Sequence, residues 1–257
     1  MIILISPAKT MDPAPTRLDL PLSQPEWLDE ANRLATILKG LESRALEQLL
    51  GISPALAQLN AERFRNFSLD PAPAQLKPAG ELYRGDTYDG LAVATWNQED
   101  WRFAQHTLRI LSGLYGLLCP LDGIQPYRLE MSTRLVNPAG KDLYRFWGTR
   151  LSDSLRRQLA EHAHPVVVHL ASEDYIKAVP ALPLLTPVFL EPKPDGLKVI
   201  GLLAKRARGA MARFAITRRL SDPEPLKEFT EEGYRYRPEL SDTARWVFVR
   251  DARPTST

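Results

Sequence analysis

The chain has 257 residues, 44% of them hydrophobic and 25% charged, with a net charge of +2. That balance fits a soluble globular protein with a real core and excludes an intrinsically disordered chain. It leaves no global basic field, so any nucleic-acid footprint must be a local patch. A single cysteine, Cys119, precludes an intrachain disulfide and suits a reducing compartment. No run reaches the length needed to cross a bilayer, and the start "MIILISPAKT" lacks the charged leader of a signal peptide. A cytoplasmic monomer with no membrane partner is expected.

Residues 1–6, "MIILIS", read as a buried strand stopped by Pro7. Ser23 and Glu26 have capping-box spacing ahead of a helix ending near Gly40, and a short helix follows to Gly51. Ser53-Pro54 opens another helix, and the prolines at 71, 73 and 78 mark a loop. "ELYRGDTYDGL" reads as a turn-rich segment. Asn97 can cap the helix "QEDWRFAQHTLRIL", which leads into "LSGLYGLLCPLDGIQPYRLEM" at 111–131. A long amphipathic helix is expected over 141–161. "PVVVHLAS" (165–172), "PVFLE" and "LKVIGLLA" (197–204) read as further strands, the last running into the basic helix "KRARGAMARFAITRRL". The tail "EGYRYRPELSDTARWVFVR" alternates as a closing β-hairpin. With no repeats and no linker, the expected fold is α/β: one domain over 1–257, a mixed β-sheet with flanking helices.

Three expected strands end in polar residues: Ser6 and Lys9, then Ser172, Glu173 and Lys177, then Lys205, Arg206 and Arg208. Ligand crevices in open α/β sheets lie beyond the carboxyl ends of strands, so these ends would meet if the strands are parallel neighbours. The plain alternative is that strand ends simply reach solvent. In "PYRLEM", Arg128 and Glu130 share one face of an extended segment. They can pair with each other, or hold an anion and a proton-transfer group. Lys9, Glu130 and Glu173 are the candidate catalytic residues. No nucleotide, protease or esterase motif is present, His162 and His164 lack zinc spacing, and no cofactor is expected. Cys119, in "LLCPL", suggests a buried, unreactive thiol.

Residues 205–219 hold Lys205, Arg206, Arg208, Arg213, Arg218 and Arg219 and no acid. Ala207, Ala210, Met211 and Phe214 share one arc of that helix, and Gly209 and Ala212 fall among the basic residues, where a phosphate backbone could come close. A solvated basic face is the alternative.

Together "ISPAKTM", "YRGDTYDGL", "LSGLYGLLCPLD" with "QPYRLEM", "GKDLYRFWG", "LASEDYIKAV" and "AKRARGAMARF" resemble the YaaA family of peroxide-stress-response proteins, in the family's order and over almost the whole chain. The resemblance implies a protein that limits damage by peroxide and unincorporated iron, and a mixed α/β fold outside the common superfolds. It also implies duplex DNA binding through a basic cleft and a helix-hairpin-helix, here with a helix to Leu111 and a turn at Gly113–Gly116. These two glycines stand three apart rather than the usual two. Two functions follow. One is non-specific duplex DNA binding through Gly113, Gly116, Arg128, Lys205, Arg206, Arg208, Gly209 and Arg213. The other is an enzyme acting on a nucleotide-like or phosphorylated small molecule, or on a nucleic-acid base.

Overall fold

A computed structural model describes residues 1–16 and 18–251. Its main sheet contains β1 (Ile2–Ile5), β2 (Leu108–Ser112), β3 (Gly116–Leu118), β4 (Val167–Leu170), β5 (Leu184–Lys193), β6 (Gly196–Lys198), β7 (Tyr234–Tyr236) and β8 (Arg245–Arg250). The strand order is β7-β8-β5-β4-β1-β2-β3, with β6 paired to β5. Strands β2, β1, β4, β5 and β8 run parallel. Antiparallel strands close both edges, β3 on β2 and β7 on β8. The fold is thus a mixed-sheet α/β fold, as expected.

β1 is buried along its whole length because it lies in mid-sheet between two parallel neighbours. Several local expectations hold. Ser53 accepts from Leu56 N–H at the start of helix Pro54–Asn66, and Asn97 accepts from Glu99 and Asp100 at the start of helix Gln98–Thr107. The C-terminal hairpin is formed by β7 and β8.

Other expectations need correction. Ser23 and Glu26 do not cap: the helix begins at Leu28, Ser23 Oγ donates to Asp122, and Glu26 accepts from Ser154. Residues 141–161 form two helices, Leu143–Trp147 and Arg150–Leu159, parted by Gly148 at φ 53°. Residues 197–204 are not a central strand. Gly196–Lys198 makes a short edge strand, and the helix Gly201–Thr217 already starts at Gly201. Its buried Ala204, Ala207, Met211 and Phe214 follow the 3.6-residue period.

The segment 111–120 is no helix-hairpin-helix. Helix Gln98–Thr107 stops four residues before Leu111, and Leu108–Ser112 joins the sheet, pairing Ile3 with Leu108 and Ile5 with Ile110. The glycine turn links two antiparallel strands, so it is a β-hairpin. Burial of the apolar run against β1 overrides its helical reading. An ideal Cβ on Gly113 would stand 2.3 Å from Leu129 O, and one on Gly116 2.7 Å from the Trp147 ring. The turn is packed inside the protein, where no phosphate backbone reaches its N–H groups.

Candidate functional site

β1 and β4 end side by side, Ile5 opposite Leu170. Just beyond, Ser172 N–H donates to Ser6 Oγ at 2.8 Å, and Ser6 Oγ–H reaches Ser172 Oγ at 3.3 Å. A cavity of about 440 Å³ opens over this junction, at the carboxyl ends of parallel strands where α/β sheets place their ligands. Its walls come from five parts of the chain: the turn after β1, the segment Arg84–Tyr88, the segment Tyr127–Glu130, the end of β4 with the turn after it (Leu170, Ser172, Asp174 and Tyr175), and the first turns of helix Gly201–Thr217.

Residues Tyr127–Glu130 alternate between buried and half-buried. Tyr127 and Leu129 pack inward, and Arg128 and Glu130 share the other face, as their spacing predicts. Glu130 receives two cations: Lys9 Nζ at 3.1 Å and Arg128 Nη2 at 3.3 Å. Lys9 is the exposed member, with 63% of its side chain accessible, whereas Arg128 keeps only 14%. The Arg128 Nε is buried with no hydrogen-bond partner among the described residues. At the rim, Arg84 Nη2 donates to Asp12 at 2.7 Å. The Ala14 N–H first, and Arg84 second, hold the Asp12 carboxyl below its usual range.

The basic helix divides into two populations. Arg206 pairs with Glu232 at 2.9 Å, Arg213 with Glu231 at 2.5 Å, Arg218 with Glu228 at 3.6 Å and Arg219 with Glu99 at 2.6 Å. The acids missing from the helix are thus supplied by other elements, which a scan of one helix cannot see. Lys205 and Arg208 differ: both line the cavity, and no carboxylate oxygen among the described residues lies within 4.0 Å of either. Burial pulls the Arg208 guanidinium below its ordinary value, and the nearby Glu173 carboxylate offsets part of that.

Of the predicted site residues, the cavity brings together Lys9, Arg128, Glu130, Lys205 and Arg208. Glu173 is not on its wall. It heads the one-turn helix Glu173–Ile176, beside Arg208 and His169. Gly209 is buried against helix Asp86–Leu91: a Cβ there would stand 1.8 Å from Thr87 O. Its place between arginines therefore reflects helix packing, and the surface it was expected to offer a phosphate is occupied by protein. Gly113, Gly116, Arg206 and Arg213 lie outside the cavity wall.

Sequence reasoning missed Arg84 and Tyr88, both on the wall. Tyr88 Oη donates to Ser6 O at 3.1 Å, tying helix Asp86–Leu91 to the end of β1. The signal lay in "YRGDTYDGL", which carried the resemblance but no chemical motif.

A family model for the peroxide stress protein YaaA matches residues 1–240. The chain belongs to the YaaA family. Its relatives include a UPF0246 protein of Magnetococcus marinus, 46% identical over 98% of this chain and 100% of the relative. A UPF0246 protein of Hahella chejuensis is 45% identical over 98% and 100%, and one of Roseobacter denitrificans 45% over 97% and 98%. Membership in the YaaA family supports a role in the peroxide stress response. Among the described residues no helix is long and apolar enough to cross a membrane.

Proposed function

We propose that this YaaA-family chain acts on an anionic, nucleotide-like or phosphorylated ligand held in the strand-end cavity, and that this chemistry underlies its part in the peroxide response. One observation carries the reading. On a helix whose outward arginines are neutralised by acids, the two cations without acidic partners, Lys205 and Arg208, are those on the cavity wall. A half-buried guanidinium with no carboxylate in contact, and only the more distant Glu173 to offset its burial, is costly, and a phosphate offers it a charge-assisted, bidentate partner. The cavity volume of about 440 Å³ suits a small organic ligand.

Lys9 and Glu130 are the proton-handling pair. They are in contact at 3.1 Å, within reach for general acid–base work, and Arg128 holds the carboxylate from the other side. Calorimetric titration with adenosine 5′-monophosphate, inorganic phosphate and a short DNA duplex tests the reading. Tighter binding of the nucleotide than of phosphate, lost in a Lys205/Arg208 double alanine variant, supports it. Equal, weak binding of all three by both proteins counts against it.

A second reading, non-specific duplex DNA binding, is favoured by the exposed rim cations Lys9, Arg84 and Lys205. In that case the contact surface is the cavity mouth rather than the helix face. The duplex should then bind with a slope of log affinity against log salt of about −3, from roughly three neutralised phosphates. The slope should flatten by about one in Lys9→Ala.

A further inference from the structure

Tyr127 sits between two other hydroxyl groups. Its Oη lies 2.6 Å from Tyr83 Oη and 2.6 Å from Ser112 Oγ, and all three residues are buried. Ser112 Oγ also accepts the Tyr115 N–H at 2.9 Å. The three hydroxyls carry three protons, and the two O···O contacts among them use only two. Among the described residues, the Tyr83 and Ser112 hydroxyls have no other acceptor.

The direction of donation then matters. If Tyr127 donates to Tyr83, the Tyr83 proton is left in the core without an acceptor. If Tyr127 donates to Ser112, the Ser112 proton is left in the same position. A buried hydroxyl with an unmet donor is disfavoured. In the third arrangement Tyr83 and Ser112 both donate to Tyr127, and the one proton left without a protein acceptor among the described residues is that of Tyr127. Tyr127 is the only one of the three on the wall of the strand-end cavity.

We propose that Tyr127 is a ligand-binding hydrogen-bond donor, its hydroxyl proton directed at a carbonyl or phosphoryl oxygen of the molecule in the cavity. The assignment rests on the reading of that cavity as a ligand site and adds to it the group that orients the ligand. Two donors onto one phenol oxygen polarise its O–H. The preferred partner is therefore an oxygen that bears or gains negative charge. Burial raises the Tyr127 hydroxyl to about 12, with Ser112 and Tyr83 pulling the other way, so it stays a protonated donor at neutral pH. Tyr127→Phe would remove the donor and leave two buried protons without their acceptor.

Neutron diffraction from crystals of the full chain exchanged into D₂O tests the proton arrangement directly and needs no ligand. The expected map has the Tyr83 and Ser112 deuterons both on the Tyr127 oxygen, with the Tyr127 deuteron pointing into the cavity. A Tyr127 deuteron on the line to Tyr83 or to Ser112 would overturn the proposal, whatever the cavity binds. Titration with adenosine 5′-monophosphate supplies the functional arm. Tyr127→Phe should weaken binding about tenfold, and Tyr83→Phe by a smaller factor because it only sharpens the donor. Wild-type affinity in Tyr127→Phe would also overturn it. Absence of nucleotide binding in the wild type would instead fall on the ligand reading, and the neutron map would still decide the donor.

Discussion

Gly209 and Thr87 meet backbone to backbone: a Cβ at position 209 would stand 1.8 Å from the Thr87 carbonyl oxygen. The contact is reciprocated by Gly90, whose Cβ would fall 2.1 Å from Arg206 O. These two glycines let helix Asp86–Leu91 sit directly on helix Gly201–Thr217, and each of the two helices contributes to the cavity wall, through Tyr88 and through Arg208. Gly209→Ala should therefore destabilise the protein by about 2–3 kcal/mol through overpacking. A residue that merely lowered helix propensity would do the opposite and gain on the order of 1 kcal/mol from the change. Denaturant unfolding distinguishes the two signs.

Glu130 holds Lys9 and Arg128 at the mouth of the cavity. Because Glu130 is partly solvated, Glu130→Gln should cost about 1 kcal/mol of stability or less while abolishing complementation of a peroxide-sensitive strain. A large drop in melting temperature with function retained would make the pair structural.

Cys119 is poorly suited to react with peroxide: burial raises its thiol to about 12. Only the thiolate reacts, so alkylation or peroxide oxidation at neutral pH should run about a thousandfold slower than for a free cysteine. Mass spectrometry after timed iodoacetamide exposure measures this, and Cys119→Ala should leave peroxide protection intact.

His169 on β4 is buried with its Nδ1 unpartnered among the described residues. Burial first, then Arg208, lowers its pKa to about 4. The unfolded chain, with an ordinary histidine near 6.5, binds the proton more readily than the folded one. Stability from this group is therefore full above about pH 6.5 and is lost as pH falls toward 4, by roughly 3 kcal/mol in all. Unfolding free energies between pH 7 and 4 should show that slope, and His169→Gln should flatten it.

Much of this arrangement is legible in the residues. The run 1–6 and "PVVVHL" are continuous apolar stretches because their strands are buried on both faces, and their polar ends do meet at one crevice. Arg128 and Glu130 share a face because extended chain alternates. The errors arise where a local pattern serves a distant partner. "LRILS" follows a well-capped helix and continues its apolar character, but its burial is against β1, about a hundred residues earlier. Gly209 among arginines suggests a surface approach, while the close neighbour is Thr87. The absence of acids in 205–219 hides the fact that Glu99, Glu228, Glu231 and Glu232 supply them from elsewhere.

Arg206 and Arg208 provide the most direct test, since both carry one positive charge, two residues apart on the same helix, one paired with Glu232 and the other on the cavity wall. The measurement is the affinity for adenosine 5′-monophosphate, by calorimetry, of Arg206→Ala and Arg208→Ala against the wild type. A charge-assisted contact is worth about 1.5–3 kcal/mol. Arg208→Ala should therefore weaken binding by about ten- to a hundredfold, and Arg206→Ala should change it by less than about twofold. Equal losses in the two variants, or none in Arg208→Ala, would contradict a ligand site at the strand-end cavity.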